Sequence, residues 1–437
     1  MIFVLLWGDL MATAVETPTE LNGALRKVSL RLLPFVALLY FLAFLDRVNV
    51  SFAALTMNED LGLSSFIYGL GAGIFFLGYV VFEVPSNLIL HRVGARVWIA
   101  RIMITWGLVS AGTAFVTGPN SFIAARLLLG VAEAGFFPGI ILYLTYWYPA
   151  EVRGRIIGSF MLAIPLSTVV GAPISTALLD VSLFGLEGWQ SLFILEGLPS
   201  VLFGIITLFY LPDRPADARW LTAREREVIA ARLAEENAEP GREHGFGAVA
   251  RNPRLWMLGL VYFCIVLALY GLNFWTPLMV RSLSGFTNQE VGWLTALPNM
   301  LAAGAMILWG RLSDRTGRRR SFVVIPCVVG AAGFVISVLF PSPVTGILAI
   351  YLGTICVYLC APIFWTLPTA MLAGTAAAGG IALINSVGNI SGYVGPFLLG
   401  ALREETGNYV GGFVCLAVSL LMAAALVLTA KEPARTG

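Results

Sequence analysis

The sequence predicts an all-α integral membrane protein: twelve transmembrane helices in two six-helix bundles, with both termini cytoplasmic. Three observations carry this. Of 437 residues, 58% are hydrophobic and only 12% are charged, against roughly a quarter charged in an ordinary soluble domain. Mean hydropathy is +0.85 over the whole chain, more than a single anchor supplies. The basic residues, finally, lie almost entirely on one side of the topology that the apolar runs define.

The elements follow in chain order. The first ten residues, MIFVLLWGDL, are apolar but lack a basic n-region, and no small-residue cleavage pattern follows, so a cleaved signal peptide is not expected. Met11 serves as a start as well as Met1 does. Apolar runs of about twenty residues or more then recur twelve times, at about 30–55, 66–90, 97–117, 122–148, 156–178, 189–211, 254–280, 288–309, 321–340, 344–372, 376–400 and 409–430. The longest polar interruption, 212–253, divides them six and six. The expected organisation is a cytoplasmic tail (1–29), a six-helix bundle (30–211), a linker (212–253), a second bundle (254–430) and a cytoplasmic tail (431–437). In the linker, Thr222 and Glu225 form a capping-box pattern ahead of Val228, Ile229 and Leu233, predicting a short amphipathic helix on the cytoplasmic face.

With a cytoplasmic amino terminus, 23 of the 27 Lys and Arg fall inside, two (Arg281 and Arg403) fall outside, and Arg47 and Arg126 lie within helices. That is the positive-inside bias. A net charge of +2 excludes a nucleic-acid binder's basic excess. Five cysteines inside apolar runs give neither a disulfide frame nor a zinc site. His91 and His244 lie in cytoplasmic segments, so no metal centre, cofactor or His-based catalysis is expected, and the chain does not read as an enzyme.

An internal repeat sharpens the picture. Gly310-Arg-Leu-Ser-Asp314-Arg315-Thr-Gly317-Arg318-Arg319 follows the eighth span, and Asn87-Leu-Ile-Leu-His91-Arg92-Val-Gly94-Ala-Arg96 follows the second, 223 residues earlier. The same offset maps Pro173 onto Pro396 and the start of the first span onto Pro253. Two parallel six-helix repeats with a site at the midplane between them are the expected architecture.

The 310–319 loop resembles the signature of the major facilitator superfamily. Physically, its charges can bridge helix ends and close one side in one state, which makes Asp314, Arg315 and Arg318, with Arg92, Arg96 and Glu83, candidate gating residues. The first copy departs from the pattern, with His91 in place of the aspartate and Asn87 in place of the first glycine. A narrower resemblance covers nearly the whole chain. Leu45-Asp46-Arg47-Val48-Asn49, Phe82-Glu83-Val84-Pro85-Ser86-Asn87, Arg126-x-x-x-Gly130-x-x-Glu133-Ala-Gly135-Phe-Phe-Pro138-Gly139 and Leu211-Pro-Asp-Arg-Pro215 resemble the anion:cation symporter family. That family includes bacterial permeases for tartrate, phthalate, galactonate and aldarates, and the animal sialin and vesicular glutamate transporters.

Charges deep in a spanning helix cost several kcal/mol unless paired or hydrated, so Asp46, Arg47, Arg126 and Glu133 read as functional by default. Arg126, Gly130 and Glu133 share one helix face, the two charges about 10 Å apart at ~1.5 Å per residue. Asp46 and Glu133 can exchange a proton; Arg47 and Arg126 cannot. The resemblance implies proton coupling at the two acids, and coupling and anion recognition at the two arginines. Static salt bridges, Asp46 to Arg126 or Arg47 to Glu133, are the alternative. For Glu196, a packing or hydrogen-bonding role is as well supported as a substrate role.

At the offset of 223 the four charges become Leu269, Tyr270, Ala349 and Cys356. The cavity candidates of the second half are therefore neutral, namely Tyr270, Asn273, Trp275, Trp365, Asn385, Ser386, Asn389 and Tyr393, with Tyr79 added from the second span. Aromatic and amide packing between helices is the commoner use of each of these alone. The expected protein is a monomeric, proton-coupled importer of a small organic anion, a hydroxy-dicarboxylate or sugar acid, in a bacterial inner membrane. Its partners are the anion, protons and lipid, with no nucleic acid. An aromatic carboxylate importer and an exporter or exchanger of the same anions are the alternatives.

Overall fold

A computed structural model describes residues 19–238, 252–371 and 375–429. Among these residues there are helices and two short 3₁₀ turns, and no strand. The helices are α1 Thr19–Asp60, α2 Ser65–Val93, α3 Ala95–Gly112, α4 Pro119–Glu133, α5 Phe136–Thr145, α6 Ala150–Met161, α7 Ala163–Leu178 and α8 Gly188–Tyr210. They continue as α9 Ala223–Ala238, α10 Pro253–Ser284, α11 Asn288–Thr316, α12 Arg319–Leu339, α13 Pro343–Phe364, α14 Thr366–Met371, α15 Thr375–Thr406 and α16 Val410–Thr429.

Eleven spans among the described residues are long and apolar enough to cross a membrane. The remaining long helix, α15, has 32 residues and occupies the expected eleventh run, with Asn385, Ser386, Asn389 and Ser391 along its middle. The first helix overshoots its predicted run at both ends, because its polar first turns are held by other elements. At 42 residues it is about 63 Å long at ~1.5 Å per residue.

Three predicted continuous helices are interrupted: the fourth between α4 and α5, the fifth between α6 and α7, the tenth between α13 and α14. A proline explains each. Pro138, Pro165 and Pro368 lack the N–H that would bond the carbonyl four residues back, and those carbonyls belong to Ala134, Met161 and Phe364, each within one residue of a break. At the first break Gly135 takes φ +84°, a left-handed conformation natural to glycine.

The linker helix α9 has the cap its sequence predicts. Glu225 N–H donates to Thr222 Oγ1 at 3.2 Å, and Thr222 N–H donates to Glu225 Oε2 at 2.9 Å. Ile229 is fully buried beneath it. Ion pairs then tie α9 to α1 (Lys27 with Glu225; Arg224 with Glu20 at 3.2 Å) and to α6 (Arg232 with Glu151; Arg153 with Glu236 at 3.0 Å). Just ahead of α9, Asp213 accepts the Arg96 N–H at 2.8 Å and faces the Arg96 side chain at 3.7 Å, which caps the start of α3.

Contacts between the two sequence halves run through α2 with α15, α7 with α11 and α1 with α10. The first is backbone on backbone: a Cβ added to Gly69 would lie 2.5 Å from the Pro396 carbonyl oxygen and 3.0 Å from Gly400 Cα. The second puts Gly292 against the end of α7, where an added Cβ would stand 2.9 Å from the Ala172 carbonyl oxygen. Small residues permit such approach where apolar burial gives helices no preference for one another over lipid. Both contacts lie at the end of the molecule opposite α9, so the halves meet there.

Candidate functional site

Between the halves lies a cavity enclosing about 1080 Å³ of atom-free space, counting the solvent at its mouth. Its walls include Tyr40, Arg47 and Tyr79 from the first half and Tyr262, Tyr270 and Trp365 from the second. Gly158 and Met161 at the end of α6, and Met306 in the later stretch of α11, carry the lining toward the α9 end.

Arg47 is the pivot. It is 6% exposed, is paired with Glu133, and donates through Nη1 to the Tyr270 hydroxyl at 3.2 Å. Its guanidinium lies 5.3 Å from the Phe75 ring centroid and 5.4 Å from that of Tyr79, close enough for cation–π attraction. Arg47 and Tyr270 are related by the 223-residue offset, so the repeat's pseudo-symmetry axis passes beside this hydrogen bond. Glu133 ends α4 at the Gly135 break and keeps Oε2 without a hydrogen-bond partner.

Arg126 differs in kind. It is completely buried and, like Glu133, stands behind the cavity wall rather than in its lining, against the expectation for this face of α4, and no carboxylate pairs with it among the described residues. Nη2 donates to the Arg47 carbonyl at 3.4 Å, while Nε and Nη1 have no partner. The guanidinium lies 5.4 Å from the Phe75 ring and 6.0 Å from the Phe274 ring. Of the two static pairs that the sequence allowed, only Arg47 with Glu133 forms.

Asp46, next along α1, faces away from the cavity into the first half. It accepts from Trp106 Nε1 (2.9 Å), Ser110 Oγ (2.9 Å) and Ser200 Oγ (2.5 Å). Glu196 lies in the same buried region and accepts from Ser175 Oγ at 2.6 Å. Consecutive helix residues point about 100° apart, which sends Asp46 and Arg47 to different neighbours. Ser110, Ser200 and Trp106 as carboxylate donors were not foreseen, since single small polar residues on helix faces carry no signal of their own. Asp213, the Arg96 partner, was visible only within the Leu211–Pro215 motif.

In the second half, Trp365, Asn385 and Asn389 line the cavity, and Asn389 faces Glu83 of α2. Asn273 lines a separate, smaller polar pocket. Trp275 is brought to neither: its indole N–H donates to the Pro396 carbonyl at 3.1 Å and its ring meets Tyr68 edge-on, which is packing between α2, α10 and α15. Tyr393 likewise stacks on Phe397. Ser386 is half-buried on α15 outside the lining. Of the gating candidates, Arg96 pairs with Asp213, while Arg92, Arg315 and Arg318 are exposed. The Asp314 side chain lies outside the described residues.

A family model described as Major Facilitator Superfamily matches residues 36–396 and 284–437. A protein of Agrobacterium vitis named for tartrate transport is 49% identical over 417 residues, covering 94% of this chain and 96% of that one. The metabolite transport protein NicT of Pseudomonas putida is 45% identical over 406 residues, covering 92% and 93%. Among solved structures, a bacterial homologue of the human lysosomal transporter Spinster, inward-facing and occupied, superposes with a TM-score of 0.73 at 18% identity, covering 91% of this chain and 95% of that one.

Proposed function

The chain belongs to the major facilitator superfamily, a family of membrane transporters rather than enzymes, and from that premise we propose that it imports a small organic anion together with protons. The substrate class is a hydroxy-dicarboxylate, tartrate-like, or a sugar acid. The working arrangement is twelve spanning helices in two six-helix bundles, 30–211 and 254–430. In it, the linker and both termini are cytoplasmic, and the protein is a monomer in a bacterial inner membrane. The positive-inside distribution supports this orientation, which makes the α9 end cytoplasmic and the present cavity inward-opening.

One observation carries the anion reading: Arg126 is a fully buried cation with two unpartnered donor nitrogens and no ion-pair partner among the described residues. A guanidinium presents a fork of N–H donors that suits a carboxylate. Arg47 supplies the coupling. While Glu133 is ionised it holds Arg47; when Glu133 takes up a proton, Arg47 is released to become a second anion-binding cation beside Arg126. A dicarboxylate engages both. Loss of the proton from Glu133 on the cytoplasmic side recaptures Arg47 and weakens the site, and the anion leaves. Asp46, held by Trp106, Ser110 and Ser200, is the second proposed proton carrier, acting on helix packing in the first half rather than on the substrate directly. Alternating access of the bundles completes the cycle.

The relative named for tartrate transport supports the substrate class. A second reading, an aromatic carboxylate, is favoured by Trp365, whose ring meets Tyr262 at 4.8 Å on the cavity wall. Uptake into proteoliposomes under an acid-outside gradient tests the proposal. Acid outside is expected to stimulate uptake of the wild-type substrate, and Glu133→Gln is expected to abolish stimulation while anion exchange continues. Stimulation by acid inside would instead establish an exporter or exchanger of the same anions.

A further inference from the structure

We infer that a small polar pocket beyond the arginines is a subsite for an alcohol group of the substrate. The pocket is lined by Val48, Phe52 and Thr168 of the first half and by Asn273, Thr276, Thr295, Asn299 and Thr354 of the second. Thr168, Thr295 and Asn299 are each 3–4% exposed. Thr168 Oγ1, Thr295 Oγ1 and Asn299 Oδ1 nevertheless have no hydrogen-bond partner. Buried polar atoms are nearly always partnered, so three orphans around one void point to a missing guest.

The chemistry of the lining selects that guest. No carboxylate faces the pocket, so it offers no negative charge to a cation, whose sites are built from carboxylates and acceptor oxygens. Threonine hydroxyls and asparagine amides both give and take hydrogen bonds, as does an alcohol. The space suits about one water-sized group. Placement agrees: Val48 follows Arg47 in α1, and Asn273 lies one turn along α10 from Tyr270, the partner of Arg47. The pocket shares no lining residue with the cavity but draws on the same stretches of α1 and α10 that carry Arg47 and Tyr270. Its walls come from both halves, so relative motion of the halves assembles and dismantles it.

This subsite rests on the anion reading above and names the group that reading leaves unread. Succinate, malate and tartrate share two carboxylates and carry zero, one and two hydroxyls, which makes them the probes. Binding to purified protein is measured by thermal shift and calorimetry for the wild type, Thr295→Val, Thr168→Val and Thr295→Ser. The wild type is expected to prefer malate or tartrate to succinate by at least about tenfold, because a site built for a hydroxyl leaves its own polar groups unpaired without one. Each valine variant is expected to erase that preference with succinate affinity held within about twofold, and Thr295→Ser is expected to keep it. Retained succinate binding shows that the variants are folded. An unchanged preference in both valine variants overturns the subsite alone, as does equal loss of all three acids, which marks a packing role. A sodium-dependent melting shift abolished by Thr295→Val, with no change in preference, overturns it in favour of a cation. Failure of all three acids to bind the wild type overturns the carboxylate reading, and the subsite with it.

Discussion

The two halves repeat one helix order at an offset of 223 residues, yet they fill their interiors differently. The first buries Asp46, Arg47, Arg126, Glu133 and Glu196; at the positions matching the first four, the second has Leu269, Tyr270, Ala349 and Cys356, all but the half-buried Leu269 buried. The second half acts as an internal control. Because it packs the same scaffold with neutral residues, the fold does not require the charges, and their burial in the first half is a cost, several kcal/mol each, borne for something other than packing. Where the halves touch, a charge of one meets a hydroxyl of the other: Arg47 donates to Tyr270.

Four measurements break or sharpen this contrast, from the largest effect down. Glu133→Ala leaves Arg47 buried without its counter-ion and is expected to cost about 3–5 kcal/mol of stability. Cys356→Ala at the matching position is expected to cost about 1 kcal/mol. A larger loss of melting temperature from Cys356→Ala would end the idea that charge distinguishes the halves. Arg126→Ala is expected to weaken anion binding by about 3 kcal/mol, roughly hundredfold, with the fold intact by melting. An anion that binds Arg126→Ala as tightly as wild type rules out the clamp. Tyr270→Phe removes the hydroxyl that accepts from Arg47 and should lower affinity by about 1 kcal/mol; no change would show that the second half contributes shape alone. The smallest effect concerns the first half's hold on α9. The Lys27 ammonium donates to Glu225 and keeps that carboxyl below its ordinary range. A carboxyl depressed in the folded state stabilises above its unfolded pKa, about 4.3, and that contribution fades as pH falls through the folded value. Glu225→Gln should therefore flatten the acid limb of the melting profile slightly, and an unaltered limb would remove the pair from the account.

The legibility of the molecule followed the strength of its signals. Hydropathy located the runs that eleven apolar spans fill among the described residues, and the Thr222 and Glu225 spacing located the α9 cap to the residue. The fourth, fifth and tenth spans read as unbroken because their hydropathy does not falter. The prolines that break them are in plain view, and counting four residues back from Pro138, Pro165 and Pro368 finds the interruptions. The buried charges were equally legible as residues, since each is anomalous in an apolar run. Their partners were not. That Arg47 takes Glu133 while Arg126 goes without a carboxylate depends on helix rotation, which a 3.6-residue period leaves uncertain by tens of degrees. The same limit hid the direction of Asp46.

The contact of α2 with α15 has a consequence for timing. At Gly69 and Gly400 the backbones meet directly, and beside them the Phe66 N–H donates to the Glu404 carboxylate at 3.3 Å and the Phe66 and Phe397 rings meet edge-on, so opening this end breaks ring contacts and one hydrogen bond to a carboxylate. Salt, which screens exposed charge within about 10 Å at 0.1 M, acts there through Glu404. The ion pairs that α9 makes with α1 and α6 all lie within the first half. Salt should therefore change how α9 sits on its own half more than how fast the two halves part at the opposite end.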